Sequence, residues 1–397
     1  MNRAIRVLSL YEGFFAGGAR ILHTDVVAGL HAEGQQHSVL SIASAARRDS
    51  SVQYLHRDPR YLRLREAGVD VATLGRTAGT DALDPTTFTD RELHLAAGVI
   101  RRADVILSLK EQPLGLLLAL QERGLMPDVP VAACLHRSDP AHSGPALSWL
   151  SAASSSGLLS AVISCAESTS DAYEPHLAPS TTRFVIGNGI DTDRFRPGSQ
   201  NEKAITRLKL DVPADAPVVV FAARFDAMKD PGLFLRSVAV LAQKRPETHF
   251  LVCGAGMTRD NEAFRVLLSE SGITDATHVH ALGIRDDMPA IYQIADIVAL
   301  TSAFGEASPL CLLEGAASGA TPVTTDVGDS ARTVEGIGFV TAHDPVQIAE
   351  TWQRVLERRP ELRELSLAAR ARLGRTRMIG EYATSIAGML ESRRAAA

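Results

Sequence analysis

Residues 297–325, IVALTSAFGEASPLCLLEGAASGATPVTT, combine two apolar runs with a glycine-containing loop and a helix-like segment between them. Ile297–Leu300 and Pro322–Thr325 have the composition of short buried strands, and Pro309 suits the first turn of the intervening helix. Two such strands joined by a crossover helix form a parallel βαβ unit. The stretch therefore predicts part of a parallel sheet that is covered by helices.

The same alternation continues on both sides of this stretch. Other runs typical of strands buried on both faces are Ile5–Leu10, Ser38–Ile42, Val69–Leu74, Val105–Leu109, Val131–Leu135, Ala161–Ser164, Val218–Ala222, His249–Cys253, His278–Ala281 and Gly338–Val340. A turn-rich stretch at 187–197 interrupts the series. We expect an α/β protein with two doubly wound, Rossmann-like parallel-sheet domains and a boundary near residues 188–215. Ligands are expected in an interdomain cleft at the carboxyl ends of the strands.

The composition suits such a protein and argues against other classes. The 397 residues exceed one ordinary core, and 45% hydrophobic with 22% charged residues is typical of globular proteins. A net charge of −5 gives no reason to expect a nucleic-acid partner. The first apolar run is too short for a signal peptide, and Leu114–Leu120 is too short to cross a bilayer. We expect a cytoplasmic protein without stable membrane insertion.

Arg224 and Lys229 follow the predicted strand Val218–Ala222 and precede a predicted helix. Two cations beside a helix N-terminus suit a pyrophosphate, although on position alone solvated loop charges are the commoner case. The chain has only five lysines, which favours a functional role for Lys229. Gly17 and Gly18 precede another helix, where their backbone N–H groups would approach an anion closely; a plain connection is equally consistent with them.

Other candidate ligands are weaker. His136 follows the strand Val131–Leu135 and is placed to reach a ligand, although a lone histidine is usually structural. Asp191 and Asp193 lie in the turn-rich linker, away from any predicted strand end, and the four cysteines lack metal-ligand spacing. The sequence therefore predicts neither a metal site nor a cofactor.

Two glutamates of the opening stretch, Glu306 and Glu314, are eight residues apart. Glu306 falls on a loop tip beyond the strand at 297–300, whereas Glu314 lies about a turn and a half into the next helix. The two carboxylates therefore belong to different elements. An acid/base pair, unrelated surface charges and parts of a ligand site all remain open on these grounds.

Taken together, these motifs resemble one family, the retaining glycosyltransferases of family 4 (glycosyl transferases group 1), which have the GT-B fold of two Rossmann-like domains. The resemblance covers nearly the whole chain and rests on Gly17-Gly18-Ala, 187–191, Arg224 with Lys229, 294–302, the Glu306-x7-Glu314 element and 319–325. The glutamate spacing with the upstream Arg/Lys pair is its most specific part. It implies an acceptor-side domain at 1–187, a nucleotide-sugar domain at 188–375, and a last helix, 376–397, that returns to the first domain.

The resemblance also implies roles for particular residues. Glu306 and His136 would contact the transferred sugar and act in catalysis. Arg224 and Lys229 would hold the donor's diphosphate, and Glu314 would bind the ribose. The full donor-binding set that it implies is Gly17, Gly18, Arg224, Lys229, Ile284, Ser308, Leu310 and Glu314.

The implied reaction moves a sugar from a nucleoside-diphosphate sugar, with UDP as the favoured nucleotide, to a hydroxyl of a small soluble acceptor. Retention would follow from front-face attack without a metal, in which the leaving phosphate takes the acceptor's proton. Ala307-Ser308 after Glu306 and Asp329 after Gly328 depart from the commonest family pattern. The first departure bears on sugar choice and the second on the conformation of the loop. The alternatives are epimerase or phosphorylase chemistry on the same fold, and a catalytically silent nucleotide-sugar-binding module.

The acceptor is the least determined part. The loop at 80–92 carries several acids, among them Asp84; a solvated loop is the commoner reading, and an acceptor lid would favour a cationic or polyhydroxyl acceptor. Lys110, which follows another strand, instead favours an anionic acceptor. Asp84 and Lys110 are thus conflicting candidates for acceptor binding. The sequence does not indicate an oligomeric state.

Overall fold

The computed structural model describes residues 3–15, 18–48, 51–79, 83–274 and 278–396. The chain folds into two compact units. Unit 1 comprises Met1–Asn188 with Arg375–Ala397, and unit 2 comprises Gly189–Gly374. These bounds differ by one residue from those that the family resemblance implies.

Unit 1 is built on a sheet whose described strands are β1 Arg6–Tyr11, β2 Gln36–Arg48, β3 Ser51–Tyr54, β4 Asp70–Ala78, β5 Val105–Leu109, β6 Val131–Leu135, β7 Ala161–Ser164 and β8 Thr182–Val185. The spatial order is β3-β2-β1-β5-β6-β7-β8, and β4 also pairs with β2. All described pairings are parallel except β2 with β3. The sequence did not predict β3, because Ser-Val-Gln-Tyr contains no apolar run.

Unit 2 is built on a second sheet, formed by β9 Val218–Ala222, β10 His249–Cys253, β11 Val279–Gly283, β12 Ile297–Leu300, β13 Thr321–Thr325 and β14 Phe339–Thr341. The spatial order is β11-β10-β9-β12-β13-β14, and every pairing is parallel. Successive residues of β9 face opposite sides, as expected of a strand. Val219 and Phe221 pack in one core and Val218 and Val220 in another, so that both faces of the sheet are covered.

Helices connect the strands of both sheets. They are α1 Gly18–Ala32, α2 Pro59–Glu66, α3 Asp90–Ile100, α4 Leu114–Glu122, α5 Ala146–Ser155, α6 Glu167–Tyr173, α7 Gln200–Lys209, α8 Pro231–Lys244, α9 Glu262–Glu270, α10 Met288–Ile294, α11 Leu310–Ser318, α12 Ser330–Val334, α13 Pro345–Glu357, α14 Arg359–Ala368, α15 Arg370–Leu373 and α16 Arg375–Ala396. Among the described residues, no helix is both long and apolar enough to cross a membrane.

The last helix, α16, belongs to unit 1 and packs against α1. A Cβ atom at Gly29 of α1 would lie 2.4 Å from Cδ1 of Ile379, so the glycine permits the close approach of the two helices. At the start of α16, the Arg377 guanidinium donates to the carbonyl oxygens of Gly187 (2.9 Å) and Asn188 (3.2 Å). The end of the chain is thereby fastened to the unit in which the chain begins.

Each sheet has a switch point, where the strand order turns from one direction to the other. It lies between β1 and β5 in unit 1 and between β9 and β12 in unit 2. At such a point the two connections leave toward opposite sides of the sheet and open a crevice at the carboxyl ends of the strands, where ligands bind. The topology therefore makes the loops that follow these four strands the expected ligand sites.

Candidate functional site

The loop after β9 contains Arg224 and Lys229 and is shaped by two aspartates. Asp226 accepts a hydrogen bond from the Met228 backbone N–H (2.9 Å), and Asp230 accepts one from the N–H of Leu233 (2.9 Å) at the start of α8. Lys229 thus ends a short 3-10 turn held between two side-chain caps. Capping of this kind fixes the backbone conformation at Lys229 and therefore the position from which its side chain extends.

Lys229 forms a buried ion pair with Glu306, from the loop after β12. The Lys229 Nζ and the Ser302 Oγ both donate to Glu306 Oε1, and only 18% of the Lys229 and 5% of the Glu306 side chain is exposed. Glu306 thus lies in the loop beyond β12, as expected, but its side chain is buried there. A carboxylate withdrawn from water needs a charged partner, and the adjacency of β9 and β12 supplies one.

The loop that carries Glu306 is also fixed by a glycine from another connection. Gly328 has a φ of +56°, and a Cβ atom there would lie 1.7 Å from the backbone oxygen of Glu306. A side chain at this position would therefore displace Glu306. Asp329, where the family commonly has a second glycine, has a φ of −91°, so this loop does not require a glycine there.

Beside this pair, unit 2 contains a cavity of about 340 Å³ at the carboxyl ends of its strands. Its walls bring together four of the donor-binding residues predicted from the sequence, namely Arg224, Ile284, Leu310 and Glu314. Lys229 and Ser308 are not in its lining. Ser308 lies just before α11, which begins at Leu310 rather than at Pro309 and has no side-chain cap.

Glu314 is the acidic group of this cavity. Burial raises its pKa to about 7, while a hydrogen bond from Tyr292 and the charge of Arg194 act in the opposite direction. A desolvated carboxylate with few donors is poised to accept hydrogen bonds from the hydroxyls of a ligand. Arg224, by contrast, is largely exposed and donates through Nε to Asp226 (2.8 Å).

The candidate residues of unit 1 lie in different settings. Gly17 falls outside the described residues, and Gly18 begins α1. His136 follows β6, and burial together with the charges of Lys110 and Arg20 lowers its pKa to about 3, so that the ring is neutral. Asp84 is exposed and accepts hydrogen bonds from the Thr86 N–H and hydroxyl, which gives it a role in capping a turn.

Several residues around these sites were not found from the sequence. Ser302 lies two residues past the end of β12, so its position beyond a strand end was an available signal. Tyr292 lies within an apolar helix and gave no signal. Among the described residues, no three His, Cys, Asp or Glu side chains form a group suited to a metal ion. All four cysteines are free thiols; three are buried and Cys311 is partly buried.

Comparisons with known proteins agree with the fold described above. Residues 216–358 match the profile of the family described as glycosyl transferases group 1. The chain carries a glycosyl transferases group 1 domain. The D-inositol 3-phosphate glycosyltransferase of Salinispora arenicola is 32% identical over 200 residues, which are 47% of this chain and 44% of that protein. The protein of the same name from Saccharomonospora viridis is 36% identical over 205 residues, 49% of this chain and 46% of the other.

This chain therefore spans less than half the length of these two relatives. The fold likeness extends further. The crystal structure of Anabaena HepE in complex with UDP has a TM-score of 0.77 to this chain and covers 97% of it, and all of that chain, at 18% identity. The GT-B fold expected from the motifs is confirmed, and the match over residues 216–358 agrees with the expected glycosyl transferases group 1 family.

Proposed function

We propose that this protein is a retaining glycosyltransferase that moves a sugar from a UDP-sugar to a hydroxyl of a small polar acceptor. The observation that carries the proposal is the arrangement at the switch point of unit 2. There a cavity with a cation, Arg224, and a desolvated carboxylate, Glu314, lies beside the buried Lys229–Glu306 pair. The HepE complex with UDP supports a uridine nucleotide, and the names of the two relatives support a polyol acceptor.

In this proposal the nucleotide occupies the cavity of unit 2. Ile284 borders the base, Glu314 accepts hydrogen bonds from the ribose hydroxyls, and Arg224 binds the diphosphate. Lys229 also binds the diphosphate, which requires it to exchange Glu306 for a phosphate oxygen. Ser302 keeps its hydrogen bond to Glu306, so the carboxylate retains one donor during that exchange.

The chemical step needs negative charge to be stabilised on the leaving diphosphate. The bond between the anomeric carbon and the β-phosphate oxygen breaks, and the acceptor oxygen bonds to the same face of the sugar. The leaving oxygen takes the acceptor's proton. Arg224, Lys229 and the N-terminus of α11 stabilise the leaving group electrostatically, so the proposal includes no metal and no cofactor.

Two further residues take part in the proposal. Glu306, once released from Lys229, lies beside the sugar and stabilises the cationic character that develops at the anomeric carbon. His136, neutral at working pH, donates or accepts a hydrogen bond at the sugar. We also propose a cytoplasmic location for the enzyme.

The test combines nucleotide binding with turnover. Calorimetry with UDP, followed by detection of UDP release from UDP-sugars with and without polyol acceptors, should show binding and acceptor-dependent release that a chelator does not change. Glu306→Gln should not weaken UDP binding, because it removes a competitor for Lys229, while turnover falls about 10²–10³-fold, the scale for loss of one electrostatic contact in a transition state. Glu335→Gln, an exposed glutamate of the same unit, is the matched control.

Other outcomes would assign a different function. Donor binding without any product would identify a binding module. Conversion of the donor sugar without an acceptor would indicate an epimerase, and turnover that depends on inorganic phosphate would indicate a phosphorylase. Equal losses of affinity and turnover in Glu306→Gln would make Glu306 a binding residue only.

A further inference from the structure

The switch point of unit 1 gathers three cationic side chains. Arg20 lies in the first turn of α1, Lys110 directly follows β5, and Arg137 follows β6 by two residues. Because β5 pairs with both β1 and β6, these positions share one edge of the sheet. Burial, together with the charges of Arg20 and Arg137, lowers the pKa of Lys110 to about 8, while Glu111 and Glu12 act in the opposite direction.

The backbone at Lys110 adopts a conformation that a lysine ordinarily avoids. Its φ is +70°, in the left-handed region. The conformation is fixed from both sides, because the Lys110 N–H donates to the Cys134 oxygen (3.0 Å) and the Ser108 hydroxyl donates to the Lys110 oxygen (2.9 Å). Glycine or asparagine would adopt it with less strain. A lysine kept in a strained position beside other cations suggests a functional rather than a structural reason.

The neighbouring carboxylates are occupied elsewhere. Glu111 is buried and accepts hydrogen bonds from the Tyr173 hydroxyl and from Ser143 Oγ (2.9 Å). Glu12 lies 3.4 Å from a guanidinium nitrogen of Arg20. Neither Lys110 nor Arg137 forms an ion pair with another described residue, although Arg137 donates to the His142 backbone oxygen. Positive charge at this edge is therefore only partly balanced.

Arg20 and His136 complete the surroundings. Arg20 is buried, donates through Nε to the Gly13 oxygen (2.8 Å) and stacks on Phe15, so it contributes its charge more than its donors. The Nε2 atom of His136 is buried and has no hydrogen-bond partner among the described residues. Buried polar atoms are ordinarily satisfied by protein, water or ligand, so this nitrogen offers a hydrogen-bonding position to a polar ligand at this edge.

We propose that Lys110 and Arg137, with Arg20 behind them, form an anion subsite for the acceptor, and that the acceptor is a small polyol carrying a phosphate monoester. The inference rests on the proposed function and names the acceptor class. A phosphate dianion matches this set because a guanidinium and an ammonium can each donate to separate phosphate oxygens. Of the two conflicting candidates for acceptor binding, this inference favours Lys110 over Asp84.

The experiment uses the full chain with and without saturating UDP. Inositol 3-phosphate, glycerol 3-phosphate, inositol and inorganic phosphate are titrated by calorimetry, and the two esters are also supplied as acceptors. At least one ester should bind at least about tenfold more tightly than inositol, the scale of one charge-assisted hydrogen bond. Lys110→Asn should abolish that preference and raise the acceptor KM at least about tenfold, while kcat and UDP affinity stay within about threefold.

The variants separate the lost charge from a damaged fold. Asparagine tolerates the left-handed backbone, so Lys110→Asn should fold as well as the wild type does. Arg137→Met should reproduce its binding defect, and Lys110→Arg should restore part of the affinity because it keeps the charge. Lys244→Asn, at an exposed lysine that ends α8, is the control and should change nothing.

The outcomes distinguish this inference from the proposed function. If UDP binds but neither the esters nor phosphate binds in a manner that depends on Lys110, the anion subsite is refuted and the donor site stands. If inorganic phosphate binds as tightly as both esters and neither ester yields product, the cluster is a phosphate site and its assignment to the acceptor is wrong. If UDP itself fails to bind, both proposals fall.

Discussion

The two units share a sheet topology but differ in how the cations at their switch points are paired with carboxylates. In unit 2 each cation has a carboxylate partner: Lys229 pairs with Glu306, and Arg224 with Asp226. In unit 1 the carboxylate of Glu111 is bound by hydroxyl groups instead, and Lys110 has no ion pair with any described residue. The cations at the switch point of unit 2 are thus paired with carboxylates, whereas those of unit 1 are only partly balanced.

This difference has a physical consequence for ligand binding. A phosphate that enters the site of unit 2 must compete with carboxylates already in place, so each cation gained costs an ion pair lost. The ion pairs keep the side chains ordered while no ligand is bound. The exchange favours ligands with enough negative charge to displace Glu306. In unit 1 no such exchange is needed at Lys110. The cost there is backbone strain and mutual repulsion of cations, both present before the ligand arrives.

The largest expected effect concerns the loop that holds the paired glutamate. Gly328→Ala places a Cβ atom 1.7 Å from the Glu306 backbone oxygen and imposes a φ of +56° on alanine. We expect the free energy of unfolding to fall by about 2–4 kcal/mol, together with loss of transfer activity. Gly272→Ala is the control, since Gly272 has a φ of +72° with no described heavy atom within 4 Å, and it should cost only about 1 kcal/mol. Equal losses in chemical denaturation would show that the loop relaxes around the new side chain.

Next in size is the removal of the paired lysine. Lys229→Met leaves the Glu306 carboxylate buried without its cation, so the free energy of unfolding should fall by about 2–3 kcal/mol. UDP affinity should also fall by about 1.5–3 kcal/mol, as measured by calorimetry. The double variant Lys229→Met with Glu306→Gln should recover much of the stability but none of the UDP affinity. Full stability in the single variant would mean that water replaces the lysine at little cost.

Individual strands and helices show how much of the fold the sequence predicts. The strands β5, β6, β7, β9, β10 and β12 begin and end where the apolar runs do, because a strand buried on both faces needs uninterrupted apolar residues. The start of α11 differs by one residue, and β3 was missed because an antiparallel edge strand of mixed composition lacks that signal.

The Lys229–Glu306 ion pair of unit 2 could not be predicted from local sequence patterns. Lys229 and Glu306 are 77 residues apart, and only the adjacency of β9 and β12 brings them together. The Rossmann strand order predicts that adjacency, so the pair was within reach of topological reasoning although no motif contains it. Arg20 and Arg137 were missed for a related reason. No local motif marks either residue as part of a site, and only the fold brings them close to Lys110.

A smaller effect is expected from the titration of Glu314. Its pKa is raised to about 7 by burial, so the folded protein holds this proton at pH values where the unfolded chain has released it. Its contribution to stability is therefore greatest below the unfolded pKa and declines as pH rises toward 7. Ribose hydroxyls donate to the ionised carboxylate, so UDP should bind up to about tenfold more tightly at pH 8 than at pH 6. Glu314→Gln should bind UDP weakly at both pH values, and any remaining pH dependence should come from the titration of UDP itself. If the variant keeps the pH dependence of the wild type, Glu314 is not its cause.

The smallest effect distinguishes the lysines of the two units most directly. Lys110→Asn removes an unpaired cation from beside two arginines and places at a φ of +70° a residue that adopts this conformation more readily. The free energy of unfolding should therefore rise, by about 0.5–1 kcal/mol, whereas replacing Lys229 lowers it. Denaturant unfolding of the two single variants beside the wild type measures both signs. If Lys110→Asn instead destabilised the protein as Lys229→Met does, Lys110 would have to be satisfied in the folded state, and the contrast between the paired cations of unit 2 and the partly balanced cations of unit 1 would be lost.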